Sequence, residues 1–332
     1  MLRRTLLSRF AGAGALAAAG CSAPKRATGP TKIHVLNGRS IAMSSLYLTH
    51  ERGYFKDVGL DVQLDQSASA SSGLALIGSG KADVTFSSLG VPFLSAMAKG
   101  LRVKFVAGRE FASTTCGQFG SIFGMRKRFP NGLDNPAVLK GKTIGVGTMI
   151  GFPQFSLDSH MATAGLSVDD IIPRTMRSPE AIAAVISGSL DAAVMNWDFD
   201  KNLERVMKDT VHTPPLAHYH PNFQISYIYF GPTLLDADPS IGGRFLSAYL
   251  RGAREFTAGA TPEYMKNFAN EYASGTSRVT DTCRGTVTLD GKINMDSLKT
   301  LSDWAFKRKY LAEPLDPAKH VDTRFLEIAH AS

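Results

Sequence analysis

After residue 31 the sequence alternates between short runs rich in β-branched residues and longer segments that end at a glycine. The short runs, which are typical of β-strands, are residues 32–36, 61–64, 84–87 and 103–107. The segments between them are predicted helices that stop at Gly53, Gly80 and Gly100. Glycine directly after a helix allows the left-handed turn that satisfies the last carbonyl groups. Strands that alternate with helices predict an α/β fold with a parallel sheet covered on both faces.

The same order of elements returns in the second part of the chain. Predicted strands lie at residues 143–146, 173–176 and 192–195, with helices between them. Residues 77–84 (IGSGKADV) align with residues 185–192 (VISGSLDA), and both segments contain Ser-Gly followed by an aspartate. We therefore predict two α/β lobes of like construction.

From residue 227 onward the pattern becomes longer and more helical, with helix candidates at 240–258, 262–272 and 295–307. We expect these helices to start no third sheet and to return to cover the first lobe. The first lobe is then discontinuous and comprises residues 32–118 and 228–332, while residues 119–227 form the second lobe. The predicted fold class is α/β with two lobes, each a mostly parallel sheet flanked by helices.

The first 21 residues have the layout of an export signal. Arg3 and Arg4 precede the apolar residues 6–19, and small residues lead directly to Cys21. The apolar run is too short for a permanent membrane helix, which needs roughly 20 apolar residues. The end of the segment resembles a bacterial lipobox, in which Cys21 would carry the lipid and become the new N-terminus.

The alternative to lipidation is ordinary cleavage nearby, and both the twin-arginine and the general export routes stay open. Residues 22–31 are polar and contain proline and glycine, so they are predicted to be a tether. We expect an exported protein, in the periplasm or on the outer cell surface, that is anchored to the membrane by lipid.

Charge and cysteine content exclude several classes of protein. The net charge of +8 is scattered, and its densest run, residues 126–128, is short. This favours a solvated surface and no nucleic-acid partner. Besides Cys21 the chain has Cys116 and Cys283, which leave open both a disulfide and two separate thiols. No pattern of metal-ligand spacing accompanies them, so we expect no metal and no cofactor.

Polar and glycine-rich segments follow the predicted strands. In open α/β sheets ligands bind beyond the carboxyl ends of the strands, where helix N-termini offer unpaired N–H groups. Here those segments are residues 37–40, 67–73, 87–88, 147–152 and 196–198. Each serine in them can also be an ordinary helix cap. Five such segments at one kind of sheet edge nevertheless indicate ligand capture.

Three motifs carry a family resemblance: residues 53–62 (GYFKDVGLDV), 79–84 (SGKADV) and 139–146 (LKGKTIGV). They resemble the substrate-binding proteins of bacterial ABC importers for nitrate, sulfonates, taurine and thiamine-precursor pyrimidines. The resemblance implies a periplasmic-binding-protein (Venus-flytrap) fold, a ligand enclosed between the lobes, and delivery to a permease and an ATPase by a monomer.

The same resemblance places ligand contacts on particular residues. By position these contacts are Ser40, Ser69, Ser71, Ser72, Ser88, Thr148, Phe152, Asn196 and Trp197. Asn37 is added because it follows the first strand directly, and Arg39 and Arg109 because a guanidinium can pair bidentately with an anion. Either arginine can instead be solvated.

Aromatic residues near the second lobe's strand ends suggest the shape of the ligand. Trp197, Phe152 and Phe155 would form a wall on which a flat ligand stacks. The alternatives are that Phe155 faces the core and that Trp197 packs the hinge. The sequence thus predicts a small anionic or aromatic ligand.

Two other functions compete with solute binding. One is an enzyme of the same fold acting on a pyrimidine-like substrate. The chain lacks the cysteine-rich motif of the yeast pyrimidine synthase, a G-x-S-x-G elbow and an H-E-x-x-H pair. Cys116 has no assignable base. The other is a ligand-sensing module for a membrane receptor. The sequence does not distinguish such a module from the binding component of a transporter. We predict the solute-binding component of an importer, and not an enzyme.

Overall fold

The computed structural model describes residues 29–331 except 39, 67–69, 115–118, 177, 196–207, 273–283 and 285. The predicted signal, Cys21 and most of the tether lie outside the described residues. So do Arg39, Ser69, Cys116, Asn196, Trp197 and Cys283. In the part that the structure describes, no helix is both long and apolar enough to cross a membrane.

The first sheet, called sheet 1, contains five strands. They are β1 (Thr31–Asn37), β2 (Leu60–Asp65), β3 (Val84–Ser88), β4 (Lys104–Phe111) and β10 (Gln224–Phe230). Their order across the sheet is β2-β1-β3-β10-β4. β1 pairs in parallel with β2 and β3, whereas β10 is antiparallel to both of its neighbours.

Sheet 2 repeats this plan with different strands. They are β5 (Ile122–Met125), β6 (Thr143–Val146), β7 (Ile172–Thr175), β8 (Ala192–Val194) and β9 (Thr210–His212). The order β7-β6-β8-β5-β9 again places three parallel strands beside an antiparallel one, here β5. The predicted two-lobe α/β fold is confirmed, and each sheet is mixed because one strand opposes the other four.

Helices cover both faces of sheet 1. They are α1 (Ser44–Glu51), α2 (Tyr54–Asp57), α3 (Ala70–Gly78), α4 (Val91–Ala98), α8 (Pro232–Leu235), α9 (Pro239–Thr257), α10 (Glu263–Tyr272), α11 (Met295–Lys307) and α12 (Arg324–Ala331). α9 packs on α1, α2 and α12, and α11 packs on α4 and β10. The alternation of β10 sends Ile228 and Phe230 to one core cluster and Tyr227 and Tyr229 to the other.

Sheet 2 has a smaller cover. Its helices are α5 (Phe152–Met161) and α6 (Ser178–Ser187), with the short α7 (Leu216–Tyr219) near the crossing to sheet 1. α5 contributes Leu157 and Met161 to a core with Ile144 and Val146 of β6, all of them fully buried. α6 packs on β8 and β5. The predicted division of the chain at 118/119 and 227/228 stays a prediction.

The sequence repeat has a counterpart in hydrogen bonding. The Asp83 carboxylate accepts from the backbone N–H of His34 at 2.8 Å, and the Asp83 N–H donates to the His34 carbonyl at 2.9 Å. In sheet 2 the Asp191 carboxylate accepts from the Thr143 N–H at 2.8 Å, and the Asp191 N–H donates to the Thr143 carbonyl at 2.9 Å. In each sheet the aspartate therefore connects the residues just before one strand (β3 or β8) to the backbone of the parallel strand beside it (β1 or β6).

Candidate functional site

The carboxyl end of β1 holds a polar residue with unused hydrogen-bonding capacity. Asn37, the last residue of β1, is 2% exposed. Its Nδ2 donates to the hydroxyl of Tyr47 on α1 at 3.1 Å. Its Oδ1 is buried and has no hydrogen-bond partner in the part of the chain that the structure describes. Because buried polar atoms are nearly always paired, this oxygen is a candidate acceptor for a ligand.

Two tyrosines form a stacked pair beside Asn37. The rings of Tyr47 and Tyr264 lie 3.7 Å apart with an interplanar angle of 7°. Tyr264 donates its hydroxyl hydrogen to the Ser40 carbonyl at 2.9 Å and accepts from the Ser40 N–H at 3.1 Å. The Tyr47 hydroxyl accepts from both Asn37 and Gln66, which leaves its own hydrogen for a further acceptor. We call Asn37, Ser40, Tyr47, Gln66 and Tyr264 the β1 site.

The two predicted serines at this end of sheet 1 behave differently. The Ser40 hydroxyl accepts from the Ala42 N–H at 3.3 Å and caps the 3₁₀ turn Ile41–Met43. Ser88 ends β3, is exposed, and pairs with Ser226 of β10. Ser40 is thus a helix cap whose backbone holds Tyr264, while Ser88 presents its side chain to solvent.

Arg109 lies on a β-bulge. Ser226 pairs with Glu110 and Tyr227 pairs with Gly108, so Arg109 is an extra residue in β4. The bulge brings Arg109 and Glu110 together, with Nη2 and Oε2 2.7 Å apart. Arg109 is 2% exposed, and therefore not solvated.

The guanidinium of Arg109 stabilises the backbone beneath the β1 site. Its Nη1 donates to the Ala42 carbonyl at 2.5 Å, in the turn that Ser40 caps. Burial raises the pKa of Glu110, while Arg109 and a hydrogen bond from Ser226 at 3.1 Å oppose that rise. Arg109 thus has protein partners for Nη1 and Nη2, whereas its buried Nε has none among the described residues. Its role in pairing with an anion stays a prediction.

Lobe 2 contributes the loop at residues 147–151, between β6 and α5. Thr148 is exposed in this loop. Phe152, the first residue of α5, is 5% exposed and packs edge-on to Phe119 and Phe223, with ring centroids 6.0 and 5.7 Å apart. Phe155 is 2% exposed and lies 5.1 Å from Phe223.

These rings form an aromatic cluster beside the segments that connect the two sheets, of which the structure describes residues 112–114, 119–121 and 213–223. Phe152 and Phe155 are thus buried in apolar packing, as the alternative for Phe155 predicted. A ligand wall that includes Phe152 stays a prediction. For Ser71 and Ser72 the structure places only the backbone, in α3. Among the described residues no group of three or more His, Cys, Asp or Glu could hold a metal ion.

An open groove adjoins the β1 site along the edge strand β2. Its volume is about 790 Å³, and it is lined by Tyr47, His50 and residues 62–66. His50 Nε2 lies 3.1 Å from the Val62 carbonyl and bridges α1 to β2 at the groove. Tyr47 and Gln66 therefore belong both to the groove and to the β1 site.

Sequence reasoning missed Tyr47, Gln66, Tyr264 and Glu110. Tyr47 lies inside a helix, and its position there does not differ from that of other partly buried residues on a helix. Tyr264 is 224 residues away from Ser40, the residue that it contacts. β4 is buried on both faces, so its sequence has no polar–apolar alternation that a bulge could interrupt, and Glu110 gave no signal.

The fold is that of the periplasmic binding proteins. Its two sheets have equivalent strand orders, two segments of the chain connect them, and a polar site lies at the carboxyl end of a parallel strand. A family model described as NMT1/THI5 like matches residues 40–262, which is more than half of the chain. This protein belongs to the NMT1/THI5-like family, as the sequence motifs predicted.

A curated relative is the 4-amino-5-hydroxymethyl-2-methylpyrimidine phosphate synthase of Schizosaccharomyces pombe. It is 30% identical over 151 residues, which are 45% of this chain and 40% of the relative. The match thus spans less than half the length of that enzyme.

Two solved structures show the reach of the fold. The alkanesulfonate-binding protein SsuA of Xanthomonas axonopodis pv. citri, bound to MOPS, has a TM-score of 0.64 at 17% identity, covering 90% of this chain and 100% of that chain. The desulfurization enzyme DSZB has a TM-score of 0.54 at 13% identity, covering 90% and 99%. At these identities the likeness shows the fold alone, which a binding protein and an enzyme share.

Proposed function

We propose that this protein is the extracytoplasmic solute-binding component of an ABC importer. It encloses a small molecule between its lobes and delivers it to a permease with its ATPase. The observation that carries the proposal is the β1 site at the carboxyl end of a parallel strand. There the buried Asn37 Oδ1 has no partner among the described residues, and the Tyr47 hydroxyl accepts from Asn37 and Gln66 and so keeps its own hydrogen for a further acceptor. Membership of the NMT1/THI5-like family supports it.

The chemistry of the β1 site favours a small ligand that is anionic or aromatic. The Tyr47 hydroxyl donates to an oxygen or a ring nitrogen of the ligand, and Asn37 Oδ1 accepts from a ligand N–H or O–H. Tyr47 and Tyr264 are both partly exposed, so we propose that their rings offer apolar surface to a flat ligand. Sulfonates, aromatic acids and pyrimidines present these features, and we propose them as the ligand classes.

The competing function is an enzyme acting on a pyrimidine-like substrate, which the synthase relative favours. A serine–histidine contact does occur, between Ser159 Oγ and His220 Nε2 at 2.9 Å. Ser159 also donates to the Phe155 carbonyl at 2.7 Å, which is an ordinary contact within helix α5. The contact therefore does not by itself favour the enzyme, because a nucleophile needs a base that accepts its proton.

The test is native mass spectrometry of the soluble protein beginning after Cys21, followed by thermal-shift screening of alkanesulfonates, aromatic acids and pyrimidines. A true ligand at 100 times its Kd should stabilise the fold by about 2.7 kcal/mol. Retention of one small molecule, or stabilisation by one class, supports capture. Chemical conversion of the bound molecule without partner proteins would contradict it and favour the enzyme.

We also propose export with a lipid anchor at Cys21. Metabolic labelling with a radioactive fatty acid in a bacterial host should label the wild-type chain and leave Cys21→Ser unlabelled. Equal labelling of both chains, or of neither, contradicts the anchor. The proposed location is the periplasm or the outer cell surface.

A further inference from the structure

Helix α11 and the residues that follow it reach from sheet 1 to lobe 2. α11 packs on α4 and β10, and we call residues 304–310 the strap. Trp304 Nε1 donates to Asp158 Oδ2 of α5 at 3.0 Å. Arg308 binds the Asp169 carboxylate with both terminal nitrogens, at 2.7 and 3.0 Å. The strap therefore fastens α5 to elements of sheet 1.

Tyr310 extends this contact to the loop at residues 147–151. Its hydroxyl accepts from Gln154 Nε2 at 2.7 Å, and Gln154 Oε1 accepts from the Ile150 N–H at 2.8 Å. Gln154 is 0% exposed, so its amide depends on these protein partners. The backbone of the loop is thus connected to the strap through one buried side chain.

Ile150 adopts a backbone conformation that its own chemistry disfavours. Its φ is +56°, in the left-handed region where a β-branched residue is an outlier. Its side chain is 39% exposed, so burial does not account for the conformation. The hydrogen bond from Ile150 to Gln154 is the contact that holds it.

We propose that Gln154 and Tyr310 are positioning residues that hold the lobe 2 loop in shape from across the lobe boundary. The inference rests on the proposed function, in which Thr148 of this loop faces the ligand. Rotation of lobe 2 away from the strap breaks the bond between Tyr310 and Gln154 and releases the turn at Ile150. Loop shape and lobe arrangement are then coupled through two alternative states.

The test is hydrogen exchange of the ligand-free protein, followed at the residue 150 amide. Tyr310→Phe keeps the ring against Trp304, 5.7 Å away, and removes only the hydroxyl. We expect exchange to become at least tenfold faster. The matched control is Tyr219→Phe, whose lost hydroxyl bonds His160 Nδ1 at 2.8 Å near the C-terminal end of α5, away from the loop. It should leave the rate unchanged.

A second variant separates positioning from general loosening. Glycine adopts the left-handed conformation without steric cost, so Ile150→Gly combined with Tyr310→Phe should return exchange to within about threefold of wild type after correction for the glycine rate. An unchanged rate in Tyr310→Phe, equal acceleration in Tyr219→Phe, or failure of the glycine to restore protection overturns the proposal. No ligand is needed, so failure to find one contradicts the proposed function and leaves this result standing.

Discussion

Sheets 1 and 2 are built from the same unit but are covered differently. In both, an aspartate before the third strand of the motif binds the backbone of the first strand, through Asp83 in sheet 1 and Asp191 in sheet 2. All seven residues of the antiparallel strand β10 are buried. The edge strand β7 of sheet 2 is mostly exposed, with Ile172 at 43%.

The difference follows from what the chain adds after each unit. Sheet 1 receives the long α9, together with α11 and α12, and its two core clusters are larger than the two of sheet 2. Sheet 2 receives no comparable long helix among the described residues. Burial of apolar area is the main stabilising contribution, so we expect sheet 1 with its helices to be the more stable of the two units.

The largest expected effect tests this contrast at the core. Phe245 is fully buried on α9 and stacks on Phe55 at 4.9 Å. Phe245→Ala should lower the free energy of unfolding by about 4 kcal/mol, because it removes a ring and leaves a cavity. Urea unfolding followed by circular dichroism measures the loss. The exposed Phe306→Ala, at 44% exposure, is the control and should change it little.

The next prediction tests the equivalence of the two aspartates. Asp83→Ala and Asp191→Ala should each cost about 2 kcal/mol, since each leaves a backbone N–H without a charged acceptor. Asp191 also pairs with Arg128, but that arginine is 56% exposed and should add little. Urea unfolding of both variants is the measurement. If only one of the two variants loses stability, the two aspartates are alike in sequence and hydrogen bonding but not in their contribution to the free energy of unfolding.

A smaller effect concerns the ligand. Tyr47→Phe should weaken binding of the ligand found by screening about fivefold, which is ~1 kcal/mol, because one hydrogen bond is lost. Isothermal titration calorimetry measures it. Tyr54→Phe is the control, since that hydroxyl bonds Glu255 on the lobe 1 surface. Equal affinity in Tyr47→Phe and wild type would remove Tyr47 from the proposed site.

The smallest effect is a dependence on pH. Burial lowers the pKa of His160 and of His220 below the ordinary 6.5. The unfolded chain then binds protons that the folded chain does not, so stability falls as the pH drops below about 6.5. Thermal unfolding between pH 5 and 7 should show a shallower slope in His160→Asn. The exposed His218→Asn is the control and should keep the wild-type slope.

Much of the fold could be predicted from local pattern. The runs of β-branched residues, and the glycines that end helices, placed β1, β2, β3, β6 and β8 within a few residues. Both features act over a few neighbouring residues, because side-chain alternation and the left-handed turn are properties of short segments. β5, β9 and α2 were not predicted, because each spans only three or four residues and none belongs to the repeated strand–helix–strand pattern that marked the equally short β6 and β8.

The sequence by itself determined the α/β class, the two similar units and the family, because each can be recognised from residues that are adjacent in the chain. Only the tertiary structure decided the site. Tyr264 meets Ser40 across 224 residues, a bulge turns Arg109 inward to Glu110, and Tyr310 reaches Gln154 from the far end of the chain. These contacts depend on how separate elements pack, and packing is a property of the whole chain that no short pattern records.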